Sequence, residues 1–190
     1  MRLVLVGPPG AGKGTQAQVV AAHLGVPHIS TGDIFRANVA GGTDLGQQAQ
    51  QFMDAGELVP DSVTNAMVAD RLTHADAAGG FLLDGYPRNP GQAEVLQELL
   101  ARTDLELDAV VELVADHETV VQRLLERAAK EGRADDTEEV IRRRLDVYDE
   151  QTAPLVDFYR QRGLLRTVDG VGAVDEVSAR IIAALPSANA

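Results

Sequence analysis

Leu3-Val4-Leu5-Val6 runs into Gly7-Pro8-Pro9-Gly10-Ala11-Gly12-Lys13-Gly14-Thr15, and a helical pattern follows over Gln16–Leu24. This is a buried strand, a glycine-rich turn and a helix start. Backbone N–H groups of such a turn curl around a phosphate, and the helix N-terminus adds partial positive charge. Glycine is needed because the loop approaches the phosphates closely and takes backbone angles closed to other residues. Lys13 supplies a mobile cation for the outer phosphates. A GxxxxGK match at a random place carries little weight; between a strand and a helix it stands in the context the motif requires. One departure matters: Gly14 follows Lys13 where a Mg²⁺-ligating hydroxyl usually stands, and the hydroxyl comes one residue later, on Thr15. Mg²⁺ at such a loop is held by the phosphates and by water, which this ion keeps readily.

Outward from that loop, the chain reads as one α/β domain of 190 residues. Hydrophobic residues make up 45%, the composition of a globular protein. No apolar run approaches the ~18 residues of a membrane helix. The first strand begins at Arg2 and leaves no room for a leader, so the expected location is cytoplasmic. There are no cysteines, which excludes disulfides and thiolate-bound zinc. His23, His28, His74 and His117 show no ligand spacing, and surface or partly buried roles are expected for them. A net charge of −12 argues against nucleic-acid or membrane-surface partners. A phosphorylated ligand then requires positive charge concentrated in a cleft. Of 17 basic residues only Lys13 and Lys130 are lysine. Arginine suits bidentate phosphate recognition, although genome composition accounts for most of that bias.

Short Val/Leu/Ile runs predict parallel strands at Leu3–Val6, Pro27–Ser30, Gly80–Asp84, Ala109–Val114 and Leu164–Val168. Helical patterns alternate with them at Gln16–Leu24, Asp33–Val39, Leu45–Asp54, Ser62–Leu72, Gln92–Arg102, His117–Arg127, Glu138–Arg160 and Glu176–Ala184. The expected fold class is α/β: a P-loop, doubly wound, five-stranded parallel sheet, with ligands outside the C-terminal strand ends. Two stretches interrupt the alternation. Thr31 to Leu72 holds three helical patterns instead of one, with breaks at Gly41-Gly42 and Gly56 that suggest hinged helices. Ala128 to Asp136 is a polar connection, with Asp136 and Glu139 at capping-box spacing for the next helix.

Asp84-Gly85-Tyr86-Pro87-Arg88 follows the third strand. An acidic residue ending a buried strand beside a phosphate loop suits a Mg²⁺-associated carboxylate, here through water. Arg88, four residues on, is placed to reach a phosphate. Arg123 and Arg127 share a helix face. Arg133 lies on the polar connection and Arg144 on the next helix. Arg142, Arg143 and Arg144 are ~100° apart around that helix and cannot all face one ligand.

These segments together resemble the adenylate kinases, of the short-lid bacterial type. The resemblance rests on Gly7–Thr15, Ser30-Thr31-Gly32-Asp33 with Arg36, Gly56-Glu57-Leu58-Val59-Pro60-Asp61, and Asp84–Arg88 with Gln92. Arg133-Ala134-Asp135-Asp136, Arg144 and Thr152-Ala153-Pro154 ahead of Tyr159 continue it in order, over essentially the whole chain. It implies a core (1–29, 60–125, 137–190), a monophosphate-binding part (30–59) and a lid (126–136). The resemblance further implies that this lid closes over bound nucleotide.

By residue match, Gly10, Ala11, Gly12, Lys13, Gly14 and Thr15 bind the ATP phosphates. Arg123 and Arg127 are the ATP-side arginines, and Gly172 meets the ATP base through its backbone. Thr31, Arg36, Glu57, Leu58, Val59, Gly85, Tyr86, Pro87, Arg88 and Gln92 form the AMP pocket. Arg133 and Arg144 serve AMP and the transferring phosphate, and Asp135 and Asp136 match lid-hinge acids. Lys13, Arg88, Arg127, Arg133 and Arg144 are the implied catalytic set. The implied reaction is ATP + AMP to 2 ADP in adenine-nucleotide homeostasis, with Mg²⁺, no zinc and a monomeric enzyme. An anionic acceptor needs charge neutralisation, not a general base. A pyrimidine-monophosphate kinase on the same fold and a non-catalytic nucleotide-binding module are the alternatives. Thr31 stands where the UMP/CMP branch usually carries Ala. A GTPase would need an NKxD-type motif, and the chain has none.

Overall fold

A computed structural model describes residues 1–131 and 137–186. Its elements run β1 (Arg2–Val6), α1 (Lys13–Leu24), β2 (His28–Ser30), α2 (Thr31–Ala40), α3 (Asp44–Asp54), α4 (Asp61–Leu72), β3 (Phe81–Asp84) and α5 (Pro90–Ala101). There follow β4 (Ala109–Val114), α6 (His117–Glu131), α7 (Glu138–Val147), α8 (Pro154–Gln161), β5 (Leu165–Asp169) and α9 (Val174–Ala184). The strands form a five-stranded parallel sheet in the order β2-β3-β1-β4-β5, the doubly wound arrangement expected.

Both faces of the sheet are covered, which is why Leu3–Val6, Phe81–Leu83 and Ala109–Val111 of its central strands are unbroken apolar runs rather than alternating ones. Leu3 and Leu5 of β1 face one way, toward Ala17, Val20, Val177 and Ile181 of α1 and α9. Val4 and Val6 face the other way, toward Val68, Leu96 and Leu155 of α4, α5 and α8. Two satellite cores stand apart. Phe35, Ala49 and Val59 close the α2–α3 excursion. Val120, Leu124, Ile141 and Leu145 join α6 to α7. The α2–α3 excursion thus carries its own small apolar cluster, and a second cluster braces α6 on α7.

Two expectations are corrected. The helix expected over Glu138–Arg160 is interrupted by a π turn at Tyr148–Thr152, and α8 starts at Pro154. Proline has no N–H to donate and crowds the preceding turn, so an uninterrupted α-helix cannot pass through it. The α7 cap is Thr137, whose Oγ1 accepts from Val140 N at 3.3 Å. The capping role expected of the Asp136–Glu139 pair thus falls to Thr137, and Asp136 itself lies outside the described residues.

Candidate active site

A cleft of about 730 Å³ opens beyond the C-terminal ends of β1 and β3, within the size range of small-molecule sites. The glycine-rich loop forms its floor. A side chain at Gly7 or Gly10 would bring a Cβ within 2.5 Å of Leu113 O or 2.7 Å of Val120 O, and both residues have positive φ. Only glycine lets the loop lie this close to β4 and α6. Gly12 caps α1 without a side-chain hydrogen bond, and the first turn carries no acid. The orphan N–H groups of α1 are therefore left to an anion. Thr15 and Gly14 also line the cleft.

Lys13 Nζ donates to Gly7 O at 2.7 Å and Pro8 O at 2.8 Å. Burial lowers its pKa from 10.5 to about 8; the Asp84 carboxylate opposes this, while the charges of Arg88, Arg144 and Arg127 reinforce it. Arg88 is likewise lowered, to about 10, by burial and then by Arg144. Four cations thus act on one another inside an acidic protein. Such a cluster is costly unless an anion joins it.

The second half of the cleft is set by β2, β3 and the α2–α3 excursion. Gly85 O accepts from Thr31 Oγ1 and from Arg88 Nε, each at 2.9 Å. Arg36 Nη2 pairs with Asp33 Oδ1 at 2.5 Å. Burial raises the pKa of Asp33, but the hydrogen bond and charge of Arg36 outweigh it and hold the carboxyl below its usual value. Gln92 is buried, and its Oε1 accepts from Arg88 N at 2.8 Å while its Nε2 donates to Asp61 Oδ1 at 2.7 Å. One amide N–H of Gln92 remains for a ligand. Thr152, in the π turn, donates to Arg88 O at 2.8 Å.

Of the site residues named from sequence, the cleft is lined by Gly10–Thr15, Thr31, Arg36, Glu57, Leu58, Val59, Asp84, Gly85, Pro87, Arg88, Gln92, Arg123, Arg127, Arg144 and Gly172. Tyr86 departs from expectation. It is fully buried below the pocket, its hydroxyl 2.8 Å from Asn65 Oδ1 and 3.2 Å from Gln92 O. Gly85 turns the chain at a positive φ as it leaves β3, and the Tyr86 ring joins the core with Val68, Leu83 and Leu96. Arg133 and Asp135 lie outside the described residues. The three successive arginines of α7 separate as their helical phase requires. Arg144 lines the cleft, Arg142 pairs with Glu138 at 2.6 Å, and Arg143 pairs with Glu57 at 2.6 Å.

Sequence reasoning missed several supports. Asp61 and Asn89 anchor Gln92. His28, expected as a surface or partly buried residue, approaches Asp84 Oδ2 at 3.7 Å. Gln16, in the first turn of α1, joins Ser178 of α9. Asn89 before Pro90 is a readable helix cap, but its second bond, to Asp61, needs the packing of α4 on α5. Among the described residues no cluster of three or more His, Cys, Asp or Glu could hold a metal by itself. The single carboxylate of Asp84 beside Gly14 fits an ion held chiefly by phosphate and water. No helix among the described residues is long and apolar enough to cross a membrane.

Comparison with known proteins bears on this cleft. The family model described as adenylate kinase matches residues 5–164. An adenylate kinase of Thermobifida fusca is 63% identical over 98% of this chain and 99% of its own length. One of Nocardioides sp. is 62% identical, over 97% of each chain. One of Stenotrophomonas maltophilia is 56% identical over 97% of this chain and 99% of its own.

Proposed function

The chain belongs to the adenylate kinase family, and from that premise we propose how its residues divide the transfer of a phosphoryl group between ATP and AMP. It is a phosphotransferase of the reaction ATP + AMP to 2 ADP. The glycine-rich loop, Gly10 to Thr15, holds the ATP phosphates on the α1 N-terminus. Lys13 neutralises the outer phosphates. Arg123, Arg127 and Gly172 hold the remainder of ATP. Thr31, Arg36, Glu57–Val59, Gly85, Pro87, Arg88 and Gln92 receive AMP. Tyr86 acts from beneath by fixing Gln92. Arg144 and Arg133 serve the phosphate in transit.

The observation that carries this reading is the convergence of Lys13, Arg88, Arg127 and Arg144 on one cleft. AMP attacks with an anionic oxygen, so the barrier contains repulsion between two anions. A preorganised set of cations lowers that term without a general base. Asp84, through water, would hold the Mg²⁺ that accompanies ATP; bound Mg²⁺ supplies further charge neutralisation at the outer phosphates. Residues 30–59 and 126–136 act as the closing AMP-binding part and lid, keeping water from the transferring group. We expect a monomer with no nucleic-acid or membrane partner and a cytoplasmic location.

The test is ADP formation from Mg·ATP with AMP, CMP, UMP and GMP in turn. AMP should be preferred by orders of magnitude in kcat/KM. Comparable values for CMP or UMP would move the chain to the pyrimidine branch, and no turnover with any acceptor would make it a binding module.

A further inference from the structure

Beyond β5 the chain turns through Asp169-Gly170-Val171-Gly172-Ala173 into α9. Gly170, Gly172 and Val174 line the cleft. The turn is exposed, yet it is tied down from several directions. Gly170 N donates to Val114 O at 2.7 Å, which anchors it to the end of β4. Val171 N donates to Asp169 Oδ1 at 2.9 Å, and Ala173 N donates to Glu176 Oε2 at 3.2 Å. On the far side, Arg180 of α9 reaches back across it. Its Nη1 donates to Asp169 O at 2.9 Å and Val171 O at 2.8 Å. The same guanidinium lies 3.8 Å from Asp169 Oδ2 and from Glu176 Oε2. A Cβ on Gly172 would sit 2.8 Å from Glu176 Oε2 and 3.1 Å from Arg180 Nη2. Arg180 and Glu176 thus back directly onto the residue whose main chain faces the cleft.

A second tie comes from the phosphate-loop helix. Gln16 Nε2 donates to Val174 O at 3.0 Å, and Ser178 Oγ donates to the same carbonyl at 2.6 Å. Gln16 and Ser178 are both buried, and their side chains lie 2.8 Å apart. The first turn of α1, which carries Lys13, is therefore bonded to the first residue of α9, where the base-side turn ends. The planar guanidinium suits the outer tie: it offers several donors in fixed directions, so two carbonyls can be held at once.

We propose that Arg180 is a positioning residue for the donor nucleotide: bracing Asp169 O and Val171 O from behind, it fixes the Gly170–Val174 backbone where the base of ATP is read. This rests on the assignment of Gly172 to the ATP base. Arg180 touches neither phosphate nor AMP in this scheme. Its contribution is preorganisation, which acts on affinity for the ligand whose site is preformed. Removing it should raise the KM of that ligand and leave the others alone.

The experiment compares wild type, Arg180→Ala and Arg180→Lys with ATP and with GTP as donors. Arg180→Ala should raise KM for ATP about five- to tenfold, with KM for AMP and kcat at saturating ATP within twofold of wild type. Its preference for ATP over GTP in kcat/KM should shrink by a similar factor. Arg180→Lys, which restores one donor to one carbonyl, should recover part of that loss. A lowered melting temperature with ATP and AMP constants unchanged would make Arg180 only structural and overturn the proposal, as would equal changes in both KM values. A wild-type enzyme without preference for ATP over GTP would instead overturn the assignment of Gly172 to the base.

Discussion

Lys13 shows how a residue identified by motif acquires its properties from neighbours. Its ammonium is held by Gly7 O and Pro8 O, and burial brings its pKa to about 8. The protonated form is the productive one, so kcat/KM for ATP should fall as pH rises through about 8, since that ratio reports the free enzyme. The limb in kcat should lie at higher pH, because bound phosphates favour the charged form. A wild-type profile flat from pH 7 to 9.5 would contradict this. Lys13→Met should lower kcat about 10²–10³-fold, as removal of a preorganised charge does, and should abolish the limb while leaving the fold intact. Arg143 is the contrasting case. Its pairing with Glu57, 86 residues away, is invisible to spacing.

At the scale of elements, the α2–α3 hairpin is set by close contact. Gly46 packs so tightly on α2 that a Cβ there would lie 2.2 Å from Asn38 O. Gly46→Ala should force the helices apart and cost about 1–3 kcal/mol, the range of overpacking. Because α2 carries Arg36 and α3 leads into Glu57–Val59, KM for AMP should rise while KM for ATP stays put. Unaltered melting with unaltered AMP kinetics would show that the hairpin tolerates the methyl. The π turn at Tyr148–Thr152 is the other informative element. It presents Thr152 to the carbonyl of Arg88 at 2.8 Å. Thr152→Val removes this bond from a part-buried carbonyl, which costs about 1 kcal/mol. The loss should appear as reduced thermal stability together with weakened AMP kinetics. The continuous helix expected over Glu138–Arg160 passed over the break that Pro154 imposes, and the π geometry before it goes with the packing of α8 against α5.

For the whole molecule, an α2–α3 excursion with its own small core makes closure of that part the expected response to ligands. Ligand at 100 times its Kd stabilises a fold by about 2.7 kcal/mol, or roughly 5–10 °C in Tm for a chain of this size. AMP and a non-hydrolysable ATP analogue should each raise Tm by that order. Together they should exceed the sum, because each pays part of the ordering cost of the other. A combined shift no larger than the greater single one would mean that they compete for one site. Arg133→Ala should lower kcat by about 10³, the scale of an arginine delivered to a transferring phosphoryl group, with a smaller change in AMP affinity. Arg102→Ala, at the exposed end of α5, should change nothing. An Arg133 variant with wild-type kcat would assign the role to another arginine.

The sequence by itself determined the strand–loop–helix at the N-terminus and the parallel α/β sheet, and of the described residues it named for the site all but Tyr86 line the cleft. Those signals are local: glycine spacing, the unbroken apolar runs of strands buried on both faces, and charged residues at strand ends. Tertiary structure alone decided that Arg143 turns to Glu57 and that Tyr86 lies beneath the pocket. It also decided that Gln92 has most of its hydrogen-bonding capacity committed, and that Arg180 reaches the base-side turn from behind. Each depends on rotational phase against a packed neighbour, or on a partner far along the chain. Ser178 meets Gln16 across 162 residues. No periodicity encodes such a meeting; it follows from α1 and α9 covering the same face of the sheet.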